Sequence, residues 1–151
     1  MIRPGGARDV PFLRDMLRHA FYWHSFTGEE SPPLRIYVSG WGRRGDRALI
    51  AIDDALPVGA AWYRLFRADA PGFGFVDEQT PELAIAVVPR RRGRGFGGAL
   101  LEALLEQARE DGFQAISLSV ARDNPAVELY ERHGFGVVRE DDGGLVMKAT
   151  L

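Results

Sequence analysis

The chain has 151 residues, of which 46% are hydrophobic, a formal net charge of -2 at pH 7, and no cysteine. That length and apolar share suit one ordinary domain with one real core, so residues 1–151 are expected to fold as a single domain. The faintly acidic balance argues against a general polyanion binder, whose surface would be basic, and the lack of cysteine removes disulfides, thiolate metal sites and a thiol nucleophile. The sequence runs directly into Arg3 and Pro4 with no apolar leader, and no later run approaches the ~18 apolar residues of a bilayer span. A soluble, cytoplasmic protein with no membrane partner is the expectation.

A short strand is expected over 1–3. Val10, Leu13, Leu17 and Ala20 then recur at helical spacing with charges between them, which predicts a first amphipathic helix. Ser31 before Pro32 resembles a helix cap, and Gly40 would close the short helix that follows. Residues 48–53 and 58–66 are strand-like runs joined through Asp54, Ala55, Leu56 and Pro57, an antiparallel hairpin. The segment 67–81 is much longer than the ~2 to 5 residues usual in a hairpin loop, and its length suggests a task. Residues 82–88, Glu-Leu-Ala-Ile-Ala-Val-Val, are apolar on both faces after the first, as in a central strand covered by helices, and Pro89 stops them.

From Gly97 the apolar positions Leu101, Leu104, Leu105 and Ala108 mark a buried helical face that ends at Gly112, and 115–120 alternates as a strand. Strand, helix and strand make a parallel crossover unit, right-handed in ~98% of cases, with the helix amino terminus at the strand's carboxyl end, the edge that ligands favour. Asn124 and Pro125 open a last helix over 125–133 that Gly134 ends, and 137–140 with 145–150 form a closing hairpin around Asp142, Gly143 and Gly144. The expected fold is mixed α/β: a mostly antiparallel central sheet with one parallel crossover pair, and helices on both faces.

Arg90, Arg91, Arg92 and Arg94 crowd around Gly93, Gly95, Gly97 and Gly98 between a buried strand and a helix start. Free N–H groups and partial positive charge at a helix amino terminus, with glycines that let backbone approach a phosphate, make an anion site. The alternatives are a solvated turn or an Arg/Gly tract that touches RNA; such tracts are disordered and repeated, whereas this one occurs once between two strongly periodic elements. The spacing is neither Gly-x-x-x-x-Gly-Lys-Ser nor that of a dinucleotide fingerprint. His19, His24 and His133 lack metal-ligand spacing, and there is no Gly-x-Ser-x-Gly elbow for an acyl-serine route.

Arg92-Gly93-Arg94-Gly95-Phe96-Gly97, after Val87-Val88-Pro89, resembles the acyl-CoA signature of the GNAT family of N-acetyltransferases, Arg-x-x-Gly-x-Gly following Val-x-Pro. The resemblance continues through Gly98-Ala99-Leu100-Leu101 and resumes from Asn124 to Phe135 with the family's second motif. It is specific over 82–135, while only the order of elements matches before that.

The resemblance implies acetyl-CoA as co-substrate, without a metal. It implies that the backbone of Ile85, Ala86 and Val87 pairs with the pantetheine arm, and that the N–H groups of Gly93, Arg94, Gly95, Phe96, Gly97 and Gly98, beside Arg92, hold the pyrophosphate. Phe96 departs from the aliphatic residue usual at its place, but its N–H survives. Asn124, with Ala126 in the same cofactor site, would bond the arm; Asn124 also reads as a plain helix cap.

Tyr130 resembles the general acid that protonates the departing thiolate. It shares a helical face with Ala126, Leu129 and His133, so a packing role fits as well. Glu82 stands where some relatives place a base for the amine; the other reading is a solvated carboxylate at a strand edge. Some peptide acetyltransferases of the family carry a carboxylate on the strand that here holds Ser117 and Ser119. The implied reaction is direct acetyl transfer to a small-molecule or peptide amine in a ternary complex, with no nucleic acid involved and a homodimer left open. A non-catalytic acyl-CoA-binding module is the main rival, followed by an RNA-binding module. Residues 67–81, with Asp69, Asp77 and Glu78 around Phe73 and Phe75, are expected to wall the acceptor site and admit a cationic amine.

Overall fold

The computed structural model describes residues 1–21, 34–141 and 144–151. The expected cap at Ser31 and Pro32, His24, and Asp142 and Gly143 of the closing turn lie outside them. In chain order the elements are β1 (Ile2–Pro4), α1 (Val10–Ala20), β2 (Arg47–Asp53), β3 (Leu56–Arg64), β4 (Glu82–Val87), α2 (Phe96–Glu110), β5 (Ala115–Val120), α3 (Ala126–Arg132), β6 (Gly136–Asp141) and β7 (Gly144–Thr150). The strands form one sheet in the order β1-β2-β3-β4-β5-β7-β6, antiparallel throughout except for the β4/β5 pair.

Period-two alternation divides the apolar side chains between two cores, one on each face of the sheet. Leu49, Ala51, Ala61, Tyr63 and Leu83 turn to the face covered by α2 and α3. Ala48, Ile50, Ala60, Trp62, Ala84 and Ala86 turn to the face covered by α1, through Leu13, Met16 and Leu17. The β2/β3 hairpin is tighter than the sequence suggested. Asp54 and Ala55 alone make the turn, at φ 52° and 64°, the left-handed pair that matches strand twist in two-residue hairpins, so Leu56 and Pro57 join the strand.

The expected second helix is reduced to a 3₁₀ turn at Leu34–Tyr37. What fixes it is Arg64, at the end of β3, whose guanidinium is 1% exposed. It grips Asp46 with two bonds of 3.0 and 2.6 Å and donates to the carbonyls of Ile36 and Ser39. Trp62 Nε1 donates to the Tyr37 carbonyl at 3.1 Å, so Tyr37 is tied to the sheet by backbone as well as by its ring.

One irregularity of the sheet sets up the site. β4 and β5 share a single paired position, Glu82 with Ser117, reinforced by Ser117 N–H donating to the Pro81 carbonyl at 3.0 Å. Beyond it the two strands part. Val88 N–H reaches Val58 O at 2.8 Å and Ala86 is registered with Ala60, so by the alternation of an antiparallel ladder the polar groups of Ala84, Ala86 and Val88 face β3. Those of Ile85 and Val87 therefore face the gap.

Candidate active site

The gap widens into a cleft of about 450 Å³ lined by His19 of α1, Ile85, Ala86 and Val87 of β4, Arg91 to Gly93, Phe96 and Gly97, Ser119 and Val120 of β5, and Asn124 to Ala126, Leu129 and Tyr130 of α3. Its mouth is the α2 amino terminus. Gly95 caps that helix at φ 87° with no side-chain bond, and Gly93 is also left-handed at φ 78°. A Cβ placed at Gly93, Gly95 or Gly97 would meet nothing within 4 Å. The first-turn amides of a helix have no intrahelical acceptor, so Phe96, Gly97 and Gly98 present N–H groups toward open space at the positive end of the helix dipole.

The residues expected to hold acetyl-CoA are distributed unevenly. Ile85 and Val87 offer polar backbone groups to the gap, and the Val87 carbonyl is already taken by Arg92 Nε at 3.2 Å. Ala86 lines the cleft but its backbone serves β3, which corrects its expected pairing with the arm: alternation makes only every second residue available. Arg92, Gly93, Phe96, Gly97, Asn124, Ala126 and Tyr130 line the cleft, while Arg94, Gly95 and Gly98 stand just beyond the lining. The Phe96 ring packs against the α2 core. Asn124 is the cap its local sequence predicts, its Oδ1 accepting from Ala126 N–H at 2.9 Å, which leaves its amide NH₂ for a ligand.

Tyr130 is buried, its ring edge-on to Phe135 at 5.7 Å between centroids. Burial raises its hydroxyl pKa well above the usual phenol value, so it stays protonated throughout the physiological range.

Glu82 differs most from expectation. Instead of a solvated strand edge, the structure buries it completely, under the loop at Gly72–Gly74. The Tyr37 hydroxyl donates to Oε2 in a short bond and accepts from Phe73 N–H at 2.8 Å; Oε1 is the one buried side-chain polar atom among the described residues without a hydrogen-bond partner. Burial pushes the carboxyl pKa up to about 7, against partial relief from Tyr37 and Gly74. Glu82 does not line the cleft. The local sequence gave no sign of this cover, because Tyr37 lies 45 residues away.

Segment 67–81 is the cover itself. Phe73 packs against Phe21 at 5.7 Å and Tyr37 at 6.4 Å between ring centroids. The Gly74 carbonyl accepts from Ser117 Oγ at 2.8 Å, and a Cβ at Gly74 would come within 2.6 Å of the Leu118 backbone. Arg139 of β6 donates to the Phe75 and Phe73 carbonyls at 3.0 and 3.4 Å.

The acids of this segment point elsewhere, which corrects their assignment to an acceptor wall. Asp69 is exposed beside Arg67, Glu78 accepts from Ala68 N–H and Asp77 from Gln79 N–H. Asp77 and Glu78 line a second, larger hollow of about 1160 Å³ at the opposite end of β4 and β5. That hollow has no helix amino terminus, and its lining includes the Arg47–Asp111 ion pair at 2.8 Å. The bare helix amino terminus lies in the smaller cleft. No sequence spacing marks His19, yet in the structure it stands in that cleft's wall.

Residues 11–135 match the Acetyltransferase (GNAT) family. The chain belongs to that family. Among curated relatives, it is 31% identical over 142 residues to an L-methionine sulfoximine/L-methionine sulfone acetyltransferase of Pseudomonas aeruginosa, covering 90% of this chain and 80% of that one. A mycothiol acetyltransferase of Corynebacterium aurimucosum is 39% identical over 83 residues, 54% of this chain but 25% of that protein. The chain likewise spans only 37% of a bS18-alanine N-acetyltransferase of Haemophilus influenzae. Among solved structures, a ribosomal-protein-alanine N-acetyltransferase from Brucella melitensis superposes with a TM-score of 0.72 at 27% identity, covering 100% and 99% of the two chains. The whole chain thus shares its fold with this GNAT relative.

Proposed function

We propose that this GNAT protein transfers an acetyl group from acetyl-CoA to a primary amine by direct attack in a ternary complex. The observation that carries the reading is the parted β4/β5 pair, whose unpaired groups on Ile85 and Val87 lead to the bare amino terminus of α2. The pantetheine arm hydrogen-bonds to Ile85 and Val87, as an added strand would, and the pyrophosphate meets the N–H groups of Phe96, Gly97 and Gly98. A buried acyl-CoA-binding module without turnover would have the same cleft, and Tyr130 inside it favours the enzyme.

In the reaction the amine nitrogen bonds to the thioester carbonyl carbon, the C–S bond breaks, and Tyr130 gives its proton to the departing sulfur. An alkyl ammonium with pKa ~10.4 lies about 3.4 units from pH 7, a handicap of ~4.6 kcal/mol, so a proton acceptor or a dry site must help. We assign that role, acting through water, to Glu82, whose carboxyl pKa is pushed up to about 7 by burial. The acceptor is a small-molecule or peptide amine, in keeping with the relatives' names.

Acetyl-CoA consumption with thiol detection, across amines, amino acids, peptides and aminoglycosides, tests the reading; no turnover with any of them would favour the binding module. With an acceptor in hand, Tyr130→Phe is expected to fold and to bind acetyl-CoA as wild type does but to lose ~10- to 100-fold in turnover. That is below the full range of a dominant general acid, because a thiolate leaves tolerably without help. Wild-type turnover in Tyr130→Phe would reduce the residue to packing against Phe135.

A further inference from the structure

We propose that His19 is a further ligand-binding residue of the cleft, taking up a proton as it meets the diphosphate of the incoming thioester; the inference rests on the acyl-CoA reading above. The last turn of α1 sets His19 in the wall facing Ile85, Val87 and Arg92. The carboxyl end of a helix favours a cation there.

Of the arginines that line the cleft, Arg91 is paired with carboxylates and Arg92 is fixed in place with its charge unpaired by any carboxylate among the described residues. Arg91 is held by Asp53 at 2.8 Å and Asp54 at 3.8 Å, and Arg92 Nε is anchored on the Val87 carbonyl. No carboxylate lines the cleft among the described residues, where α3 and the turn before it contribute only Tyr130 and Asn124 as polar side chains. Among the described residues, the charges that act on the ring are those of Arg92, Asp15 and Arg18.

In the ligand-free protein, burial, then Arg92 and Arg18, hold His19 below its ordinary pKa, with Asp15 partly opposing them, so at neutral pH the imidazole is uncharged. A diphosphate entering beside it reverses the sign of the local field and favours the imidazolium. Binding then carries a proton with it. Affinity is highest below the free-protein pKa, falls by up to about tenfold per pH unit between the free and bound values, and levels off above the bound value.

The test is calorimetric titration with 3′-dephospho-CoA, whose diphosphate stays ionised throughout and which lacks the titrating 3′-phosphate. Titrations in buffers of different ionisation enthalpy, between about pH 6 and 8, count the protons taken up. Wild type is expected to take up a fraction of a proton. His19→Gln should take up none and lose the pH slope, and His19→Lys, carrying a permanent charge, should bind with neither uptake nor slope. Pantetheine, with no diphosphate, should give no uptake with wild type. Equal proton uptake in wild type and His19→Gln overturns the role of His19 while leaving the acyl-CoA reading intact, and failure of wild type to bind dephospho-CoA at all overturns both.

Discussion

Gly97→Glu is expected to fold as wild type does and to lose the thermal stabilisation by acetyl-CoA altogether. A ligand present at a hundred times its Kd stabilises the native state by about 2.7 kcal/mol, and that whole increment should vanish. The position separates site chemistry from backbone strain. Gly97 is not among the left-handed glycines, and a Cβ there meets nothing within 4 Å, so a glutamate side chain has room. A carboxylate in the first turn of α2 is favourable to the helix by about 0.3 to 1 kcal/mol, so the ligand-free melting temperature should hold or rise slightly. The added carboxylate occupies the dipole and the free N–H groups that the pyrophosphate would use.

Gly95→Glu should block binding as well, but at φ 87° it also pays a strain of about 1 to 3 kcal/mol that lowers the melting temperature by itself. Differential scanning fluorimetry of both variants, with and without acetyl-CoA, distinguishes the two effects. An undiminished shift in Gly97→Glu would mean that the pyrophosphate binds elsewhere.

The second large effect concerns pH. Glu82 has a folded-state pKa of about 7 against an ordinary value of 4.5, so the folded protein binds more protons than the unfolded chain across that interval. The stability contributed by the neutral carboxyl is fully present below about pH 4.5, declines as pH rises toward 7, and is flat above; the total is about 3 kcal/mol. Glu82→Gln keeps a neutral group of the same shape, and its oxygen can still accept from Tyr37. Relative to wild type, the variant should therefore gain stability steadily from about pH 4.5 to 7.

Taking the difference between the two proteins removes carboxylates such as Asp9, whose bond from Arg3 holds it below its usual pKa in both. Urea unfolding of each protein at several pH values gives the curve. A pH-independent difference would show that the carboxyl remains ionised in its burial site, and the proton-accepting role assigned to Glu82 would lose its basis.

Much of the fold was legible because its signals are local. The strand at 115–120 has the bounds its alternation predicts, α1 and α2 follow their apolar spacing, and Asn124 caps α3 as its position before Pro125 suggests. The bare amino terminus of α2 was legible for the same reason: glycines, arginines and a helix start are contiguous in sequence. What sequence could not show depends on distant partners. A glutamate heading an apolar strand looks like a solvated edge until Tyr37 and Gly72 close over it, and the acids at Asp77 and Glu78 look like a substrate wall until the loop turns them to the far hollow. Which of Ile85, Ala86 and Val87 turns its backbone to the gap follows only from knowing which neighbour each one faces.

The single rung between β4 and β5 leaves a seam in the backbone ladder of the sheet. One side of the sheet holds β1 to β4, the other β5 to β7, and across that seam the described backbone contributes Glu82 with Ser117, the Pro81 and Gly74 carbonyls that Ser117 bonds, and the Phe73 and Phe75 carbonyls that Arg139 bonds. Side chains still span the seam, since Leu49, Ala61 and Leu83 share one core with Ile116, Leu118 and Met147, but a thioester arm laid along Ile85 and Val87 would supply backbone rungs that the two strands do not give each other. Amide hydrogens of Ile85 and Val87 should thus exchange as if at a sheet edge in the free protein and as if in its middle once the arm is seated. Acetyl-CoA would then serve the protein as a structural splint before it serves as a reagent.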